Sequence, residues 1–375
     1  MPPPELTVHP VAPGRDFRRF ALLPWDIYAG DPYWVPPLLI DFNKLFDTAK
    51  HPFHRHSEAQ PFLAVRGGKP VGRITAIWNR NHQKFHGEDA GFFGFFECVD
   101  DADVAAALLE VAAAWLKERG LTVMRGPANF SSNEEWGLLV DGWNGTPKVM
   151  MPYNPRWYPA LFDKAGLRTA KDLVAYFLPH NQIPERVARG TALVRRRSPD
   201  VTIRSINMKK FEAEVGIIRD IYNASWEKNW GFVPMTDPEI EHMARELKPV
   251  VDPDLVFFAE KAGEVIGFSL SLPDVYPALQ KANGRLLPFG IVKLLWYARQ
   301  AEWVRVLTLG LLPEHRKSGV DVMMYDHLFK VCQRKGYRGG EFSWLLEDNL
   351  AIRTAMDNLG GYVYRTYRLY EKEIA

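Results

Sequence analysis

Cysteine is nearly absent: Cys98 and Cys332 are the only two in 375 residues. Two cannot build a disulfide framework, and each sits in an apolar, regular segment, as a small buried side chain of a reducing compartment does. A dominant sign of charge is missing too. Lys and Arg number 47 against 45 Asp and Glu, a formal net charge of +2. No overall field draws such a chain to nucleic acid, and no nucleic-acid partner is expected. No apolar run is long enough to span a membrane, and MPPPELTVHP lacks the cationic start and apolar stretch of a signal peptide. The expected location is the cytoplasm. Nucleophile elbow, P-loop and dinucleotide fingerprint are all lacking. His51, His54 and His56, like His82 and His86, are spaced as metal ligands can be, but no Cys or paired carboxylate completes a set. They read as surface or loop histidines, and no metal is expected.

What is present is length, a 47% hydrophobic content and internal repetition. That content fills one large core or two ordinary ones. PFLAVRGGKPVGRITAI (61–77) and VFFAEKAGEVIGFSLSL (256–272) each read as strand, glycine turn, strand. Ala64, Gly68 and Gly72 recur as Ala259, Gly263 and Gly267, and Asn154, Ala160 and Gly166 as Asn349, Ala355 and Gly361, all at one offset. The first copy also contains strand LTVHPV, helix DFRRFALLPWDIYA, strand AGFFGFFECV and a helix from Asp101 to Gly120, capped by Asp101 or Asp103. Strand TVMRGPANF and helix NPRWYPALFDKAG follow. The second copy opens with strand VTIRSINMKK and helix FEAEVGIIRDIYNASW. ALVRRRSPD (192–200) is the expected linker, with Arg195-Arg196-Arg197 as a solvated loop.

The copies differ where one of them acquires an anion-binding loop. VRVLTLGL is followed by Pro313, Arg316 and Gly319, then by a helical stretch to Gly336. A helix start offers unpaired N–H groups and the positive end of its dipole, and a glycine admits a phosphate closely. In the first copy the matching place holds Asp100, Asp101 and Asp103, which repel a phosphate and read as helix caps.

The order strand, Arg-x-x-Gly loop, helix, strand (339–346), Asn349 and Gly360 resembles the C-terminal half of the GNAT superfamily, the acyl-CoA-dependent N-acyltransferases. The resemblance implies an α/β (α+β) fold of tandem GNAT-like domains, each a mixed twisted sheet flanked by helices. Residues 1–190 would form a degenerate platform and 200–375 the domain that binds acyl-CoA as co-substrate. It further implies that His315, Arg316, Lys317, Ser318, Gly319, Val320 and Asp321 cradle the coenzyme A diphosphate, with Asn349 nearby. N–H groups within Leu309–Leu311 would hold the thioester carbonyl.

Acyl transfer to an amine needs a neutral amine, an oxyanion donor and a departing thiolate. Glu347 and Glu134 are the candidate bases. The tyrosine that many relatives use as thiolate acid is replaced by Met356; Tyr325, Tyr362 and Tyr364 are possible substitutes, although 362–370 more simply reads as an aromatic strand. Asp321 stands where the family has a small residue. Facing a diphosphate at ~5 Å it would cost about 3 kcal/mol at an effective dielectric of ~20. Each half also has its own insertion. In the first, Asn129, Ser131 and Asn133, with Ser132, Glu134 and Glu135, could bind an amine. In the second, 272–300 mixes Leu286, Leu287, Phe289 and Trp296 with Lys281, Arg285, Lys293 and Arg299. Its part from 280 to 300 could lie on the inner membrane face.

Burial of a hydrocarbon chain contributes roughly 0.8 kcal/mol per methylene, enough to outweigh Asp321. The whole chain is similar to a two-domain GNAT group that includes bacterial ceramide synthases. This implies a long-chain or lipid-like amine, such as a sphingoid base, as acceptor. Two alternatives stay open: an inactive acyl-CoA-binding sensor, and an aminoacyl transferase of the two-GNAT type.

Overall fold

The repeated Ala and Gly residues occupy the same rungs of two hairpins. The structure, a computed structural model, describes residues 4–285, 296 and 298–374. In strands β2 (Glu58–Arg66) and β3 (Lys69–Trp78), Ala64 faces Gly72; in β11 (Val256–Lys261) and β12 (Glu264–Pro273), Ala259 faces Gly267. Gly68 and Gly263 close the turns at φ +77 and +87, where only glycine is unstrained.

Around these hairpins the chain forms two compact units. Unit 1 holds residues 4–173, 279–285 and 365–374, and unit 2 holds 174–278, 296 and 298–364. Unit 1 contains β1 (Leu6–Pro10), α1 (Arg15–Ile27), α2 (Leu39–Leu45), β2, β3, α3 (Arg80–His86), β4 (Ala90–Cys98), α4 (Ala102–Lys117) and β5 (Val123–Gly126). Next come β6 (Ala128–Asn129), β7 (Glu135–Trp136), β8 (Leu138–Asp141) and α5 (Tyr158–Lys164). Strand β9 (Arg168–Leu178) crosses into unit 2. There follow α6 (Glu185–Arg197), β10 (Val201–Ser205), α7 (Phe211–Trp226), α8 (Asp237–Leu247), β11, β12, α9 (Tyr276–Ala282), whose residues from 279 belong to unit 1, and β13 (Trp303–Leu311). The last elements are α10 (Val320–Lys335), β14 (Gly339–Leu346), α11 (Leu350–Asn358) and β15 (Tyr362–Glu373), which ends in unit 1.

Each unit is a mixed sheet with helices. Unit 1 runs β1-β2-β3-β4-β5-β15, and unit 2 runs β9-β14-β13-β12-β11-β10. In unit 1, Val104, Leu108, Ala112 and Leu116 form the buried stripe of α4 against Ile74, Ala76 and Phe93. In unit 2, Met323, Met324, Leu328 and Val331 of α10 pack on Phe257, Val304, Val306 and Phe342. Both stripes follow the i, i+3, i+4 spacing of a one-sided helix.

Several elements differ from their expected form. Residues 122–130 are not one strand. Pro127 has no N–H to continue a ladder, so β5 stops at Gly126 and, among the described residues, β6 pairs with β7 alone. Helix α5 starts at Tyr158 rather than Asn154, whose amide is bonded to both the N–H and the C=O of Leu139. Strand β10 ends at Ser205. The expected linker is the last turn of α6, where Arg195, Arg196 and Arg197 face the negative end of its dipole. His51 and His82 are buried rather than superficial, and His82 bonds Glu88 at 2.7 Å. Of the 272–300 insertion, Leu286, Leu287, Phe289 and Lys293 lie outside the described residues.

Candidate acyl-coenzyme site

The alignment of β13 with its neighbours builds the site. Beside β12, Leu307 has no partner between the rungs Thr308–Leu270 and Val306–Ser271. This extra residue is a bulge, which bends the strand that carries it. On the other edge, among the described residues, β13 pairs in parallel with β14 from Trp303 to Val306 and no further. Beyond Val306 the strands part, although β13 continues to Leu311 and β14 to Leu346. The bulge opens a wedge. Leu312 N–H donates to Ile266 at 2.9 Å, and N–H directions alternate along a strand. The N–H groups of Leu311 and Leu309 therefore turn toward the wedge.

At the mouth of the wedge, a single-turn 3-10 segment (Pro313–His315) leads into α10. Lys317 and Gly319 both take positive φ, +66 and +82. Gly319 is the residue before the helix and has no side chain to cap it. A β-carbon there would come within 2.8 Å of Val194 Cγ2. Among the described residues, the N–H groups of Lys317, Gly319 and Asp321 have no acceptor. The Arg316 guanidinium donates to the Ser225 carbonyl, and the Ser225 hydroxyl donates to that of Leu311 at 3.0 Å. Arg316 thereby ties the loop to the end of α7. Asp321 occupies the second position of α10. Asn349 caps α11, its side chain accepting from Ile352 N–H at 3.3 Å.

The two faces at the narrow end differ. On the α10 face, Tyr325, Val306, Phe342 and Leu328 line a cavity of about 20 Å³. Burial, and then the Asp321 charge, push the Tyr325 hydroxyl well above its usual range, so it stays protonated at neutral pH. Met356 is buried in the same apolar cluster. On the opposite face lies a group that sequence reasoning missed. Glu341 is wholly buried and faces Arg305 at 3.6 Å. It accepts from Ser343 Oγ at 2.5 Å and from the Tyr364 hydroxyl. One signal was there: GGEFSWLL has a lone carboxylate inside an otherwise uncharged strand, and a buried charge needs a partner. Glu347 lies just past β14, exposed, its carbonyl accepting from Arg353 at 2.8 Å.

Unit 1 contains the same framework with its donors occupied. Phe95 and Phe96 together face Ile74, and β4 pairs with β5 only through Phe92. Here Asn129 Oδ1 accepts the Phe95 N–H at 2.6 Å, while its Nδ2 donates to Glu135. At the start of α4, Asp101 accepts from Asp103 and Val104 N–H and pairs with Arg66. Glu134 accepts from Phe130 N–H, and Ser131 bonds Asn133 N–H at 3.2 Å. A buried pair recurs too: Arg73 and Glu97 are 3.6 Å apart, with Tyr158 donating to Glu97 at 2.8 Å. Burial, partly offset by Arg73, raises the Glu97 carboxyl to about 7.

Cys98 and Cys332 are buried free thiols, and burial pushes Cys332 up to about 12. Among the described residues, no group of three or more His, Cys, Asp and Glu could hold a metal ion. None of the described helices is long and apolar enough to cross a membrane.

Comparison with known proteins gives two full-length relatives. The chain is 37% identical over 379 residues to the bacterial ceramide synthase of Caulobacter vibrioides, covering 99% of this chain and 98% of that one. It is 35% identical over 365 residues to protein YghO of Escherichia coli, covering 96% and 93%. Among solved structures, a tandem GNAT protein from the clavulanic acid biosynthesis pathway superposes with a TM-score of 0.58. It is 12% identical, over 99% of both chains, so this likeness shows the fold alone. No protein-family model matches.

Proposed function

This chain belongs to the family of two-domain GNAT-fold proteins that contains the bacterial ceramide synthase and YghO, and from that membership we propose that it is an acyl-CoA-dependent N-acyltransferase. One observation carries the reading: the wedge and the uncapped start of α10 leave donors open in unit 2, while their counterparts in unit 1 are filled. The N–H groups of Lys317, Gly319 and Asp321 suit a diphosphate, with Lys317 and Arg316 adding positive charge. Those of Leu309 and Leu311 suit a thioester carbonyl, and would bind its oxyanion more strongly as the charge develops.

The two faces divide the proton work. An attacking amine forms its bond to the thioester carbon and loses a proton, and the carbon–sulfur bond then breaks. The amine approaches from the Glu341 face. A hydroxyl that gives its proton to Glu341 presents its oxygen as an acceptor; the Ser343 oxygen already accepts from Arg305 Nε at 3.1 Å, so Tyr364 is the hydroxyl that can orient an amine N–H. Glu341 is a positioning residue in this scheme, and Glu347, near the mouth, is the base candidate. Tyr325, on the other face, is the candidate acid for the thiolate, and its raised hydroxyl makes the transfer to a thiolate uphill, so the thiolate can also leave unprotonated.

The ceramide synthase relative supports a sphingoid base as the acceptor. The 20 Å³ space beside Tyr325 holds no more than a water molecule, so a fatty chain has to run along the open wedge or displace side chains. Thiol release from acetyl-CoA and palmitoyl-CoA with sphinganine and short amines tests the reading. Release with palmitoyl-CoA and sphinganine, lost in Gly319→Val, supports it. Coenzyme binding without release with any acceptor would favour the inactive sensor, which Asp321 and the buried Met356 also fit.

A further inference from the structure

Among the described residues, helix α6 is an element near the anion loop to which neither the fold repeat nor the proposed chemistry gives a role. It packs on α10 through Gly190 and Thr191, which meet Val322, and through Val194, which meets Gly319. Later residues of α6 thus touch earlier residues of α10, so the two helices run antiparallel. Along α6 the touching positions follow the helical interval of three or four: Val187, Thr191, Val194. Arg197 is next on that stripe. It falls one turn beyond Val194, the residue that meets Gly319, on the side where α6 runs past the first residue of α10. Arg195 and Arg196 share its turn.

These three arginines are exposed, and none makes an ion pair or a side-chain hydrogen bond among the described residues. Other α6 arginines differ: Arg189 pairs with Glu185 at 3.4 Å, and Arg186 donates to Asn358. Three like charges in one turn repel each other. The C-terminal dipole of α6 offsets only part of that. A polyanion beside them would offset more.

We propose that Arg195, Arg196 and Arg197 form a second phosphate site, which takes the ribose 3′-phosphate of coenzyme A while the Gly319 turn takes the diphosphate. The inference rests on the coenzyme reading of that turn. It adds a discrimination between 3′-phosphorylated and unphosphorylated adenosine carriers that the turn alone does not supply. The added positive charge would also counter the misplaced carboxylate of Asp321.

Calorimetric titration of the full chain at low salt with coenzyme A, dephospho-coenzyme A and 4′-phosphopantetheine tests it. The intact protein should bind coenzyme A about fivefold to tenfold more tightly than dephospho-coenzyme A, as a few exposed charge pairs provide. The triple variant R195Q/R196Q/R197Q should lose that preference and bind dephospho-coenzyme A within about twofold of the parent. Arg197→Lys should retain part of it. Equal affinity of the parent for both coenzymes, or an unchanged preference in the triple variant, overturns the second site and leaves the first standing. No binding of any of the three ligands by the folded parent overturns both.

Discussion

In unit 1 the N–H groups of Asp103 and Val104 end on the Asp101 carboxylate; in unit 2 the corresponding helix starts from Gly319, which has no side chain to offer them. The same contrast recurs one strand away. The bulge of β4 gives its Phe95 N–H to Asn129, whereas β14 pairs with β13 no further than Val306 among the described residues. Both units keep the bulge, the parting strands and a buried Arg–Glu pair at 3.6 Å. What separates them is who satisfies the backbone. A fold that must leave donors open for a ligand pays for them in the empty state, and unit 1 has removed that cost with its own side chains.

The largest expected effect falls on unit 2. Gly319→Val places a β-branched residue at φ +82 and drives it into Val194, where non-glycine residues are strained. Acyl-CoA turnover should fall at least about a hundredfold, as expected when positioning of the reacting group is lost. An unaltered rate would break the contrast. Next is the pH dependence of unit 1. The folded value of Glu97, about 7, lies above its ordinary 4.5, so the folded protein binds that proton more tightly than the unfolded chain. This contribution is complete below pH 4.5 and is lost as pH rises to 7, by up to roughly 3 kcal/mol at 1.36 kcal/mol per unit. Denaturant titrations between pH 5 and 8 should show that slope in the parent and a flatter one in Glu97→Gln.

Asn129→Ala leaves the Phe95 N–H without its acceptor and should cost about 1–3 kcal/mol of stability, with coenzyme affinity unchanged. Asp101→Ala removes a helix cap and should cost about 1 kcal/mol, again without effect on turnover. A drop in turnover with either variant would mean that unit 1 takes part in the reaction. The smallest effect sharpens unit 2: Asp321→Asn should tighten coenzyme A by about twofold to fivefold, as one removed like charge at a partly exposed site does.

Much of this contrast was legible in the residues. The Asp101 cap, the Gly319 loop, helix α7 and strand β14 stand where their residues place them, because caps, glycines and apolar spacing act locally. Three things were not legible. The bulge at Leu307 depends on alignment with β12, which no local pattern fixes. The wedge depends on where β14 stops pairing. The plug by Asn129 depends on Pro127 turning the chain out of β5, and there a run of strand-like residues misled. Glu341 was overlooked because its neighbours read as core, and its Arg305 partner lies 36 residues away. Arg195–Arg197 read as a loop because the polar composition of α6 hides a helix with a narrow buried stripe, Val187, Thr191 and Val194.

The central claim is that one unit of two has an open coenzyme site, and the stoichiometry of acyl-CoA binding tests it most directly. Titration of the full chain should give one molecule bound per chain, with no binding left in Gly319→Val and one still bound in Asn129→Ala. Two molecules per chain, or binding that survives Gly319→Val, would contradict it.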